Sequence, residues 1–315
     1  MLSSSDDCVY VKSEVYTVKN ATILVLYNPN IKYVSNNINI ISELTDLLIL
    51  IDNTPEHEKR EINKKILLQS ISGFDEVYYI GMNNEGLSKA YNEGVKKLNS
   101  CCHKIGGVLF LDQDSDVSHA TLKQLWDTYN KLEDICDLGV LGAYPIRVDG
   151  IGYRYNVKKE NTNILPTNVI EVKRVISSFS IVPLRVLNEL NGFYDDFFID
   201  HIDNDFSRRC IKKNKIVAMD LNAKFIQRIG EGSITFLGRH ITPISAPFRH
   251  YYQARNILLS AKRCGDGIIY ALPYLVKRFI MINLQGVYGH NLITRYKFYL
   301  LGILHGINNR SGKLK

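Results

Sequence analysis

"VLFLDQDSDV", residues 108–117, decides how this chain reads. Four apolar residues run straight into Asp112, Asp114 and Asp116. A short apolar run closed by a polar turn is the pattern of a strand buried in a sheet core. Carboxylates crowded at its end repel one another, and the question is what holds them there.

Similar runs lie on either side. "ATILVLYNP" (21–29) stops at Asn28-Pro29, "DLLILIDN" (46–53) ends in Asp and Asn, and "EVYYIGMNNEG" opens with a short strand at 76–80. "GGVLFLD" (106–112) is the fourth strand and "LGVLGAY" (138–144) another. Between them, Leu87, Ala90, Tyr91, Val95 and Leu98 recur at helical spacing. So do Leu122, Leu125, Trp126, Tyr129 and Leu132, behind Ser118 as N-cap. Strands alternating with helices predict an α/β fold with a mostly parallel sheet flanked by helices. Such sheets bind ligands beyond the carboxyl ends of their strands. Asp52, Asn84 and Asp112 all lie at or just after such ends.

Residues 146–170 read as an irregular excursion, "VISSFSIVP" (175–183) as a strand, and "PLRVLNELNGF" as a short helix between Pro183 and Gly192. From about residue 240 the chain turns basic, tyrosine-rich and amphipathic, a helical pattern. The predicted organisation is an N-terminal extension (1–20), a main α/β domain (21–238) with parts at 21–145 and 170–238, and a basic amphipathic helical region (239–315).

At 315 residues the chain is long enough for one large domain with an added lobe. Its net charge of +7 suits a partner that is anionic on one face. No nucleic-acid-binding signature is present, so nucleic acid is not an expected partner. Six cysteines (Cys8, Cys101, Cys102, Cys136, Cys210 and Cys264) form no CxxC pair, which predicts reduced thiols and a cytoplasmic location. The first residues lack the charged start and apolar run of a secretory signal. The nearest approach to a membrane span, "IIYALPYLVKRFIMINL", is interrupted by Lys277 and Arg278.

A calcium-loop reading of the acidic turn fails. Counted from Asp112, the Gly and Glu positions hold Val117 and Lys123. An aspartyl-phosphate phosphatase has Thr or Val where Asp116 stands. What survives is an Asp-x-Asp pair that holds Mg2+ or Mn2+ against a nucleoside diphosphate, set against a polar turn whose Asp side chains cap the next helix. A second cluster, "FFIDHIDNDFSRR", carries Asp200, His201, Asp203 and Asp205. Asp200 and Asp203, three apart, are expected to share a helical face near its start. A partly buried carboxylate there suits a general base.

Taken in order, "ILVLYNP", "LLILIDN", "NNEGLSKAYNEGV", "LFLDQDS", "GFYDDFFIDHIDNDFSRR" and "FRHYYQARN" resemble family 2 glycosyltransferases of the GT-A fold. More narrowly, they are similar to bacterial rhamnosyltransferases that build surface polysaccharides such as O-antigen or capsule. The resemblance implies nucleotide contacts from Tyr27, Asn28, Asp52, Asn84, Gly86 and Asp112, and metal ligation by Asp112 and Asp114. It makes 21–238 a catalytic domain, with 21–145 its nucleotide-binding part and 170–238 its acceptor part, and favours Asp200 or Asp203 over His201 as the catalytic base. His250, Tyr251, Arg255 and Asn256 are implied as acceptor- or diphosphate-binding, beside Arg249 and Tyr252; a solvated basic helix face is the competing reading.

The resemblance also implies an inverting transfer. The donor is dTDP-L-rhamnose, with another deoxyhexose or a UDP-sugar as alternatives. The acceptor is an undecaprenyl-diphosphate-linked saccharide at the inner face of the cytoplasmic membrane, and a homodimer is possible. Three departures stand out: His201 where many relatives have Asp, Gln227 where relatives often have His, and Phe179 in a slot that is often Gly and lies near the acceptor side. If Gln227 weakens metal binding, His250 or water is the substitute. His201 and Gln227 keep alive a sugar-nucleotide-binding module without turnover. A nucleotidylyltransferase lacks support, because "LYNPNIKYVS" supplies no Gly-rich basic loop.

Overall fold

The computed structural model describes residues 18–146, 165–227, 233–236, 239–289 and 291–314. Most of the expected N-terminal extension and of the 146–170 excursion lies outside the described residues. The first half is a strand–helix alternation: β1 (Lys19–Leu26), α1 (Ile31–Ile41), β2 (Leu47–Asp52), α2 (His57–Ser70), β3 (Glu76–Gly81), α3 (Leu87–Asn99), β4 (Ile105–Asp112) and α4 (His119–Ile135). There follow β5 (Leu138–Ile146), β6 (Val169–Glu171), β7 (Ser180–Pro183), α5 (Leu184–Glu189), α6 (Ile202–Lys212) and β8 (Ile216–Ile226). A hairpin, β9 (Ser233–Phe236) and β10 (Arg239–Pro243), leads to α7 (Arg249–Arg263), α8 (Gly267–Gly289) and α9 (Leu292–Ile307).

The main sheet runs β3-β2-β1-β4-β7-β5-β8-β6. Its first four strands are parallel, with Ile23 of β1 between Ile49 of β2 and Phe110 of β4. Strand periodicity sends alternate residues to opposite faces. Ala21, Ile23 and Val25 pack with Ala90, Tyr91 and Val95 of α3 on one side. Leu24 and Leu26 pack with Ile38 of α1 and Leu122, Leu125 and Trp126 of α4 on the other.

The second half of the sheet is mixed. β7 is antiparallel to β4 and β5, β5 and β8 are parallel, and β6 is antiparallel to β8. The expected strand at 175–183 is shorter, starting only at Ser180. Phe179 just before it takes a left-handed backbone (φ 55), and its N–H donates to the Phe110 carbonyl. Its fully buried ring stacks on Phe225 at 4.4 Å, so it lies in the core and does not narrow a sugar pocket.

Helices α7 to α9 form a third core around Ile257, Leu258, Leu275, Ile282 and Tyr299. A side chain on Gly302 of α9 would run into the Tyr251 carbonyl, so glycine there lets α9 seat directly on α7. Residues 250–261 of α7 are buried on every side. In α8, Gly267–Gly286 is long and apolar enough to cross a membrane (mean hydropathy 1.3), despite the two charges that argued against it in the sequence. Much of its apolar surface is uncovered, including Ile268, Ile269, Leu272, Val276, Phe279 and Ile280.

Candidate active site

The turn after β4 is held by its backbone and its small side chains. The Ser115 N–H donates to the Asp112 carbonyl, and the Ser115 carbonyl accepts from Tyr33 Oη (3.0 Å) and Asn37 Nδ2 (2.9 Å). Ser178 reaches both the Asp112 N–H and the Ser115 hydroxyl. Gln113 braces the turn against β1, donating from Nε2 to the Tyr27 carbonyl (2.9 Å) and accepting at Oε1 from the Tyr27 N–H (2.6 Å). The N-cap of α4 is Ser118, which accepts from the Thr121 N–H, so Asp112 and Asp114 do not cap the helix. Asp112 is partly buried and Asp114 exposed. Burial first, then the neighbouring Asp114, push Asp112 up to about 6. Tyr91, buried in α3, donates to Asp112 Oδ1 at 3.2 Å, and burial together with Asp112 keeps its phenol protonated.

Other residues expected at the nucleotide divide into exposed and buried. Tyr27 is exposed at the end of β1, and Asn28 follows with φ 45. Asn84 turns the chain after β3 (φ 48), and its carbonyl accepts from Lys313. Asp52 is fully buried, and it accepts from the Thr54 N–H at Oδ1 and from Asn63 Nδ2 and Tyr79 Oη at Oδ2 (2.9, 2.8 and 2.6 Å). Those bonds shape the loop after β2. Gly86 has a packing role as well. It needs glycine (φ 102), but the close approach is to Phe198, whose carbonyl oxygen lies 2.7 Å from where a Cβ would sit. That contact docks the start of α3 on the second acidic turn, where the Leu87 N–H donates to the Phe198 carbonyl.

In the second turn the expected shared helical face of Asp200 and Asp203 is absent. Asp200 and His201 are both left-handed (φ 65 and 68), and α6 starts only at Ile202. Asn256 of α7 fixes this kink by donating to the Ile199 and Asp200 carbonyls, each at 2.9 Å. Asp200 is gripped by Arg249, Nε to Oδ2 at 3.0 Å and Nη2 to Oδ1 at 2.6 Å. His201 is buried, its Nε2 has no hydrogen-bond partner, and burial with Arg278 and Arg174 nearby lowers it to about 3. A base so weak does not abstract a hydroxyl proton near neutral pH. Asp203 is only partly buried; burial raises it above the usual carboxylate range, and it is an electrostatic neighbour of Asp112 and Tyr91. Asp205 points into the protein, paired with Arg209 (2.8 Å) and Ser260 (2.5 Å).

The four residues assigned to acceptor or diphosphate are held in contacts within the protein. Arg255 is fully buried, bonding the Asp196 and Gly312 carbonyls and the Asn256 side chain. Asn256 is spent on the turn just described. Tyr251 is buried with its hydroxyl 2.8 Å from His305 Nδ1. His250 Nε2 lies 3.1 Å from Gln285 Oε1 and 2.9 Å from Arg295 Nη1, while its buried Nδ1 makes no hydrogen bond among the described residues. Helix α7 is therefore a keystone that shapes the acidic turn from behind. Arg249, at its first position, ion-pairs with Asp200, Gln253 adds a long contact to the same carboxylate, and Ser260 bonds Asp205.

Among the described residues no three His, Cys, Asp or Glu side chains converge into a ready metal cage. Asp112 and Asp114 nonetheless fit a hard divalent cation that takes one or two protein carboxylates and completes its shell with phosphate and water. Their proximity drives Asp112 up, and a cation would relieve it. Gln227 has a buried Oε1 without a hydrogen-bond partner.

This topology, with its acidic turn at the carboxyl end of the parallel strands, is the GT-A fold. Two solved structures share it. One is TarS 1-349 of S. aureus in complex with UDP-GlcNAc (TM-score 0.54, 15% identity, 92% of this chain and 82% of that one). The other is the mannosyltransferase PcManGT of Pyrobaculum calidifontis in complex with GDP-Man and Mn2+ (TM-score 0.54, 10% identity, 94% of this chain and 88% of that one). Within that class its sequence is similar to that of a bacterial rhamnosyltransferase. It is similar over 313 residues, at 25% identity, to the dTDP-rhamnosyl transferase RfbF of Shigella flexneri, covering 96% of this chain and 98% of the relative. No family model matches the chain.

Proposed function

We propose that the protein transfers L-rhamnose, with inversion, from dTDP-L-rhamnose to a hydroxyl of an undecaprenyl-diphosphate-linked saccharide, in the assembly of a bacterial surface polysaccharide. The observation that carries this reading is the opposition of two unlike acidic turns. Among the described residues Asp112 and Asp114 make no salt bridge, while Asp203 lies near Asp112, beside an Asp200 already neutralised by Arg249. The full-length likeness to a dTDP-rhamnosyl transferase favours that donor.

In this reading Tyr27, Asn28 and Asn84 border the nucleotide, and Asp112 and Asp114 are the residues that would hold Mg2+ or Mn2+. When bound, the cation supplies Lewis-acid neutralisation of the leaving diphosphate. Tyr91 orients Asp112 through its hydroxyl. Asp203 takes the proton of the acceptor hydroxyl as its oxygen attacks the anomeric carbon. Its raised proton affinity suits that task, whereas both oxygens of Asp200 are engaged. Arg249 holds Asp200 and lends positive charge to the mouth of the site. The uncovered apolar sides of α8 and α9, with Leu300, Leu304 and Ile307 exposed on the latter, suit peripheral contact with the inner face of the cytoplasmic membrane.

The test is transfer from dTDP-L-rhamnose, and from UDP-glucose in parallel, to extracted lipid-linked saccharide, with the anomeric configuration of the product read by NMR. Inverted transfer from the dTDP donor supports the proposal. Transfer from the UDP donor alone, or a retained configuration, overturns it.

A further inference from the structure

On the far side of the Asp200–Arg249 pair the site carries positive charge that forms no ion pair among the described residues. Helix α8 lays one stripe along α6. Tyr270 stacks under the Arg208 guanidinium at 3.5 Å, and Tyr274 meets His201 edge-on at 6.4 Å. Steps of four residues stay on one helix face, so Arg278 is the next member of the stripe. It arrives beside Asp200, Arg174 and Arg249, all of which it senses electrostatically. Arg278 is partly buried and has neither a hydrogen bond nor an ion pair among the described residues. Among the described residues Lys277 is also without a partner, and Arg174 bonds only the neutral Asn204 side chain. The carboxylates that face this group are Asp200, already taken by Arg249, and Asp203. The other titratable neighbour, His201, is neutral. A guanidinium taken out of water without a counter-charge is strongly disfavoured unless a ligand supplies one.

We propose that Arg174, Lys277 and Arg278 form an anion subsite, separate from the Asp112–Asp114 turn, that holds the diphosphate of a lipid-linked acceptor and presents its hydroxyl to Asp203. The inference rests on the transferase reading and adds the place where the acceptor is gripped. Guanidinium groups suit the bidentate oxygens of a phosphate. The neighbours of Lys277 and Arg278 on α8 choose the source of that phosphate: Leu272, Val276, Phe279 and Ile280 are each about half exposed, at 56, 49, 48 and 49%. An anion with an apolar chain beside it matches this surface, and a nucleotide does not.

The test uses the full chain in titration calorimetry. Farnesyl diphosphate and inorganic pyrophosphate are titrated in EDTA, and dTDP with Mn2+. Wild type and Asp114→Ala should bind farnesyl diphosphate alike, at least about ten-fold more tightly than pyrophosphate. Arg278→Gln should weaken both diphosphates by about ten-fold while leaving dTDP within about twofold. Arg174→Gln, at an exposed position that folding tolerates, carries the same expectation if Arg278→Gln does not fold. No metal-free diphosphate binding by wild type overturns the subsite. So do unchanged affinities in both arginine variants, or a parallel loss of dTDP binding. Farnesyl diphosphate binding no more tightly than pyrophosphate overturns the lipid source. Failure of dTDP to bind wild type overturns the donor assignment alone.

Discussion

At the end of β4, Asp112 and Asp114 make no salt bridge; at the start of α6, Asp200 and Asp205 are each gripped by an arginine. Both turns are rich in Asp and both follow apolar residues, so in sequence they look alike. In the fold they divide the labour. Carboxylates that build the site are paired within the chain, and those left unpaired keep their charge for a ligand. Asp203 sits between the cases, on the built turn and near Arg174 but in no ion pair among the described residues.

The contrast breaks most visibly in stability. Asp205→Ala leaves Arg209 buried without its partner and should cost about 3–5 kcal/mol in denaturant unfolding. Asp114→Ala, on an exposed unpaired carboxylate, should stay within about 0.5 kcal/mol; equal costs would erase the distinction. Function should divide the other way. Asp203→Asn should lower kcat by about a hundred- to a thousand-fold with dTDP affinity unchanged, as steady-state kinetics and calorimetry would show. An effect on KM alone would move the base elsewhere. The contact that joins α3 to the second turn is a smaller matter. Gly86→Ala forces a left-handed alanine against Phe198 and should cost about 2 kcal/mol.

The smallest effect per residue concerns pH. His201 and His250 are held neutral, at about 3 and about 4, below the ordinary value of 6.5. The unfolded chain therefore binds protons first as pH falls. Their contribution to stability is complete above pH 6.5 and is lost as pH drops toward the folded values. From pH 6.5 to 5.5 each should cost about 1 kcal/mol, and His250→Gln should remove its share of the slope. A slope unchanged in that variant would contradict the burial argument.

The parallel half of the fold was legible because β1, β2 and β4 are apolar runs closed by polar turns, and α3 and α4 carry clean helical spacing. The turn at Phe179 was not, because its left-handed backbone follows from packing against Phe225, 46 residues away in sequence. The acidic turn after β4 was readable for the same reason as the strand before it. "FRHYYQARN" misled: arginine, histidine and tyrosine together suggest a ligand surface. Only the seating of α9, through Gly302, buries them as scaffold. Asp200 and Asp203 seemed to share a helix because nothing local reveals that Asn256, more than 50 residues on, pins the Asp200 carbonyl outside it. Asp52 has the right place for a base contact, but nothing local reveals that Asn63 and Tyr79 both bond its Oδ2. Arg174 and Arg278 are brought together by tertiary packing alone, and no motif marks them.

The most direct test of the open acidic turn is calorimetric titration of the full chain with dTDP, with and without Mn2+, beside Asp114→Ala. Cation-dependent binding in the wild type that the variant loses, with its melting curve unchanged, is the predicted result. Binding that ignores both the cation and Asp114 would contradict the claim that these carboxylates are kept unpaired for a metal-bound nucleoside diphosphate.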